Sequence, residues 1–307
     1  MHPDEVPWPS LATWAATTPI SASPAWGHPS PDALGWLDRA GIRGQLDDLL
    51  DTVVVLQRAE WLQDGVYVGP RTTPDAWTDV IAACRALSHP VPPAILGAGR
   101  GPGVLGTDRR AFLHLPALFL ASAKPAERRF AVGRLVGHVA AKQVSAVTLY
   151  ALLADQGGLR RLATRALGPT LEIVLAPLSL GARVALSSAQ RTHELVADRA
   201  GLLCADPDPA AAIDAAGRAM LRLALGTVPE GSPADYLDAL EHAHSSGSPG
   251  RFAELWSAQP WLHKRLLALE AFVASDAWVA HGRTRRGAPL DDDALAARTT
   301  ELLRVRS

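Results

Sequence analysis

Residues 130–142, FAVGRLVGHVAAK, and residues 190–203, QRTHELVADRAGLL, are the two stretches whose reading decides the fold. Each is rich in Ala, Val and Leu, with no proline, and each reads as a helix that buries most of its surface. In the first, Arg134 and His138 are four residues apart and share one helix face. In the second, Glu194 and Asp198 are also one turn apart, with His193 beside them. Ionisable groups set in apolar helices are costly to bury unless they find partners.

Outward from these helices, nearly everything between residues 117 and 225 reads as helix. Before it, residues 90–96 and 111–115 read as strands. Between them, residues 101–106, GPGVLG, match a dinucleotide-binding fingerprint in form only. A strand follows the run rather than a helix, so a turn between two strands is expected. A helix is expected from Asp32 through Leu56, and another over residues 74–87. Later, residues 227–233 read as loop, 234–243 as helix, and 245–250, SSGSPG, as a linker. A last long helix is expected over residues 260–281. Residues 282–307 form a polar tail in which 291–303 could make a short helix.

Residues 1–32 hold seven prolines with Trp8, Trp14 and Trp26 between them. Such an arm cannot build its own core, so its rings are expected to lie on the domain or on a partner. The start, Met1-His2-Pro3-Asp4-Glu5, has neither a basic nor an apolar signal region, and a cytoplasmic protein is expected. The most apolar stretch, residues 171–186, carries Glu172, Pro177 and Arg183, which favours a buried helical hairpin over a membrane span. Lys and Arg total 30, Asp and Glu 31, and 48% of residues are hydrophobic. The balance offers no pull toward nucleic acid. Cys84 and Cys204 read as reduced core thiols. Glu127-Arg128-Arg129 reads as a solvated first helical turn, His242 and His244 as surface residues, and Trp256, Trp261 and Trp278 as core anchors.

The two helices resemble the zinc-binding pair of HtpX-like gluzincin peptidases. Glu194-Leu-Val-Ala-Asp198-Arg199-Ala-Gly201 is similar to the second motif of that family, and Gly137-His138-Val139 to the end of its first. Residues 111–115 match the strand expected before the first helix. Ser257-Ala258-Gln259-Pro260 followed by Lys264-Arg265 is similar to a late Ser-x-His-Pro element, with Gln259 in place of the His. The resemblance implies a mainly α fold with a small β element on the gluzincin scaffold, over a domain of residues 33–281.

In that family two His on one helix and a Glu on a later one hold zinc, and a Glu beside the first His activates water. Here Arg134 stands at the first His position and Leu135 at that Glu. His138 and Glu194 remain as ligand positions, and Asp198 is similar to a residue that orients a ligand. Two ligands and a guanidinium do not make a catalytic zinc site. The resemblance therefore implies no zinc, no cofactor and no zinc-dependent proteolysis. It also implies that Glu194 faces Arg134, so a buried Arg134–Glu194 pair is expected, with Asp198 a turn away and less important to stability. Two functions follow as expectations. One is a pseudopeptidase that binds a different protein in a hetero-oligomer. The other is an enzyme that uses Arg134, His138, Glu194 and His193 in the inherited cleft on a small anionic or peptide-like ligand.

Overall fold

The structure is a computed structural model that describes residues 34–39, 41, 43–99, 103–154, 159–168, 171, 180–228, 233, 235 and 260–304. The Pro/Trp arm, residues 245–250, residues 257–259, His242, His244 and Trp256 lie outside the described residues, as do residues 172–179 of the expected hairpin and all of 234–243 but Asp235.

The molecule is mainly helical with one small mixed sheet. The first helices are α1 (Gly35–Arg39) and α2 (Arg43–Trp61). Where one helix was expected there are two, because Gly41 adopts φ +69°, a left-handed turn that ends the first. Strand β1 (Val66–Tyr67), helix α3 (Pro74–Ala86), and strands β2 (Ala94–Gly97), β3 (Gly103–Thr107) and β4 (Arg110–Pro116) follow. The sheet order is β1-β2-β4-β3, with β2 parallel to β4 and the other two pairs antiparallel.

Strand β3 corrects the reading of the glycine run as a turn. Residues 103–107 pair along β4 from Gly103↔His114 to Thr107↔Arg110, and the tight turn comes after them. Glycine lowers strand propensity, but here it serves close backbone approach. Gly106 has φ +132°, and a Cβ on it would lie 2.1 Å from Arg110 O. Its amide donates instead to Thr148 Oγ1 at 3.0 Å.

After β4 come α4 (Ala117–Ser122), α5 (Pro125–Ala140), α6 (Val144–Leu153), α7 (Leu159–Leu167), α8 (Leu180–Ala205) and α9 (Pro209–Leu225). Lys142 at φ +54° turns the chain so that α6 leaves at 104° to α5. Among the described residues no single helix is long and apolar enough to cross a membrane. The expected helix over 260–281 is broken into α10 (Leu262–Val273) and α11 (Asp276–Ala280). Ser275 makes the break: its hydroxyl donates to Phe272 O at 2.6 Å and accepts from Trp278 N at 3.3 Å. Trp278 is fully buried, while Trp261 is only partly so.

Helix α12 (Asp292–Leu303) packs on α10 and buries Leu295 and Thr299, so residues 292–303 join the body of the fold rather than trail from it. The core is one large apolar cluster centred on α5, with α3, α8, α9 and α10 around it. A second cluster lies under α2, α6 and the other face of the sheet.

The Glu127-Arg128-Arg129 turn is not solvated. Glu127 is 1% exposed and pairs with Arg222 of α9 at 3.0 Å. Arg128 pairs with Asp79 of α3 at 2.8 Å, and Arg129 donates twice to Ala205 O at the end of α8. The first turn of α5 therefore binds three neighbouring helices. A sequence pattern could not separate this from a surface turn, because its partners come from distant elements.

Candidate functional site

The site lies where α5 crosses α8. The crossing is close because small residues line it. A Cβ on Gly133 would lie 2.7 Å from the Cys204 side chain and 3.0 Å from Gly201 Cα. One on Gly137 would lie 2.4 Å from Ala200 Cβ, and one on Gly201 would lie 2.6 Å from both Phe130 O and Arg134 Cγ. With Gly133 and Gly137 on one helix and Ala197, Ala200 and Gly201 on the other, the backbones approach until short polar groups meet across the seam.

Arg134 reaches from α5 to both carboxylates of α8. Its Nη2 donates to Glu194 Oε2, and its Nε lies 2.6 Å from Asp198 Oδ1. Arg265, from α10, grips Asp198 with two parallel bonds: Nε to Oδ2 at 2.8 Å and Nη2 to Oδ1 at 2.7 Å. The same Nη2 is 4.0 Å from Glu194 Oε2. Gln190 Nε2 donates to Glu194 Oε1 at 3.0 Å. His138 has Nε2 3.8 Å from Glu194 Oε1, and its Nδ1 meets Gln143 Oε1 at 2.9 Å. Asp198 is 0% exposed, and Arg134, His138, Glu194 and Arg265 are all buried.

The electrostatics follow from burial and pairing. Burial alone would raise the Glu194 carboxyl, but Arg134, His138 and Arg265 outweigh it and hold the group below its ordinary range. Burial also opposes ionisation of Asp198, and Arg265 and Arg134 overcome it in the same way. Arg265 is held charged: burial disfavours its cation, but Asp198 and Glu194 raise its pKa above the usual arginine value. Burial lowers His138, with Arg134 adding to the effect against Glu194, so its imidazole is neutral at neutral pH. Two guanidinium cations thus face two carboxylates, and the charge closes on itself.

Arg134, His138 and Glu194 come together as the sequence implied, and the Arg134–Glu194 pair is present. Asp198 departs from the expectation of a lesser, outlying group. It is the most buried of the set and touches both arginines. His193 lies beside the cluster, but its Nδ1 has no hydrogen-bond partner among the described residues. Burial, with His138 nearby, lowers its pKa to about 4. Arg265, Gln190 and Gln143 were missed. The one signal for Arg265 was the basic start of the late helix, and nothing in that pattern says the side chain turns inward to Asp198.

Zinc does not fit this arrangement. His138 and Glu194 are the two remaining ligand types, yet Glu194 already receives Arg134 and Gln190. Among the described residues no three His, Cys, Asp or Glu side chains are grouped to hold a metal ion. The Arg134 guanidinium sits against Glu194, where its charge opposes a second cation. The arrangement fastens α5, α8 and α10 together through charged hydrogen bonds between buried side chains. Comparison with family models, with curated proteins and with solved structures gives no match.

Proposed function

We propose that this chain is a zinc-free counterpart of the HtpX-like gluzincin peptidases, acting as a protein-binding or scaffolding subunit of a hetero-complex. One observation carries the reading. Arg134, at the position of the first zinc-binding His, is ion-paired to Glu194, the position of the later ligand, and to Asp198. A peptidase site must admit substrate and water, whereas these side chains are buried and bonded to one another. Leu135, at the position of the catalytic Glu, has no proton to move. Burial of Arg134, His138 and Glu194 favours binding over chemistry at these residues, because a reactant would have to displace a complete set of ion pairs.

The partner surface is assigned to the Pro-rich arm, whose Trp8, Trp14 and Trp26 belong to the residue type most enriched in interface hot spots. The test is purification of the tagged full chain from its native host, beside the same chain lacking residues 1–30. The expected result is a second protein at fixed stoichiometry that is lost with the deletion, and no chelator-sensitive cleavage of casein. A monodisperse monomer with no partner, or zinc-dependent cleavage, overturns the proposal.

A further inference from the structure

A groove of about 550 Å³ is bounded by α2, the 90–93 lead-in to β2, the start of β4 and the end of α5. Its volume falls in the range of small-molecule sites, roughly 300–1,000 Å³. The floor is apolar. Val54, Phe112 and Val139 are buried, and Val55 lines the groove beside them at 54% exposure.

The rim is charged, and its charges do not cancel. Asp51 accepts from Thr107 Oγ1 at 3.2 Å and pairs with Arg110 at 3.6 Å. Asp108 Oδ1 accepts from Ser145 N at 3.2 Å, and its Oδ2 pairs with Arg43 at 3.3 Å. His89, lowered by burial and joined through Nδ1 to Pro90 O at 2.7 Å, is neutral at neutral pH. That leaves Arg58 and Arg109, which line the same groove and have no carboxylate partner among the described residues. Each acid on the rim already has its own base, and two cations remain over an apolar floor.

We propose that this groove binds a small amphipathic anion, a single apolar chain bearing one carboxylate, with its body on Val54, Val55, Phe112 and Val139 and its acid group at one of the two arginines that flank that floor, Arg58 or Arg109. Charge complementarity selects the acid: a cation would meet two uncompensated guanidinium groups, and a neutral molecule would leave them unused. The apolar floor selects the chain over a bare anion, which would gain nothing from four aliphatic and aromatic side chains. This site is independent of the pseudopeptidase reading, since none of the ion-cluster residues lines it.

The test is calorimetric titration of the full chain with decanoate, kept monomeric. Decanol, inorganic phosphate and phosphatidylglycerol vesicles are titrated alongside. The expected result is one decanoate per chain, with decanol and phosphate each at least about tenfold weaker, the loss expected for a missing charged hydrogen bond or a missing apolar body. Arg58→Gln with Arg109→Gln weakens decanoate by at least about tenfold while the melting temperature stays at the parent value, because both side chains are exposed. Val55→Asp, at another exposed position, also weakens it. The proposal is overturned by absent or non-saturable decanoate binding, by decanol or phosphate binding as tightly, by uptake on vesicles without binding of monomeric decanoate, or by a double arginine variant that binds as the parent does.

Discussion

Asp198 shows how a single residue can hold three elements. Its carboxylate, on α8, takes two bonds from Arg265 of α10 and a close approach from Arg134 of α5, with no exposure to solvent. Removing one member of a buried ion set leaves its partners charged and unpaired, which costs about 3–5 kcal/mol. Asp198→Ala is therefore expected to destabilise the fold at least as much as Glu194→Ala, each by about that amount, read from thermal or denaturant melts. A small shift for Asp198→Ala beside a large one for Glu194→Ala would restore the simpler Arg134–Glu194 picture. His193 makes a pH-dependent prediction. Its folded pKa is about 4 against about 6.5 for an ordinary histidine, so the unfolded chain takes up its proton first. Its contribution is then complete above about pH 6.5 and lost as pH falls toward 4, on the order of 3 kcal/mol in all. His138, also lowered, acts in the same direction. Glu194 and Asp198, held below the ordinary carboxylate range, lose their contributions at still lower pH, beginning near about pH 4. His193→Leu should flatten the fall in melting temperature between pH 6.5 and 4, and an unchanged slope would show that His193 is already solvated or charged.

Between elements, the close crossing of α5 and α8 is the feature on which the cluster depends. Gly137 and Ala200 meet there, with 2.4 Å between an added Cβ and the existing one, too close without a backbone shift. Gly137→Ala alone should cost about 1–3 kcal/mol from overpacking. Adding Ala200→Gly removes the colliding methyl group and should recover most of that loss. Denaturant unfolding of the two variants checks it, and a double variant no better than the single would place the strain elsewhere. The two crossing helices were legible from the chain alone, because their apolar periodicity is strong and their charges are regularly spaced. What was not legible depended on long-range geometry. Arg265 is 67 residues from Asp198, and its position beside Lys264 gives no sign that it points inward. Glu127 resembles any acidic first turn until α9 supplies Arg222. Gly103–Thr107 reads as a turn by composition, and only its pairing with β4 makes it a strand. The division of the late helix at Ser275 rests on a hydroxyl that bonds in both directions, and helix propensity does not report that.

For the whole molecule, the ion cluster, the Glu127 contacts and α12 place charged fasteners around the larger apolar cluster, and each joins elements that are far apart in the chain. Arg199 extends the pattern: it is 1% exposed, donates to Thr299 of α12 at 2.6 Å and lies 5.5 Å over the Phe272 ring, and burial lowers its pKa to about 10. The proposal that Arg134 stands where HtpX-like peptidases bind zinc, with ion pairing in its place, has a direct measurement. The full chain is refolded with excess zinc, desalted, and its metal content determined by elemental analysis beside that of His138→Ala and Glu194→Gln variants. The account predicts no stoichiometric zinc in any of the three. One tightly held zinc per chain in the parent, lost in both variants, would contradict it.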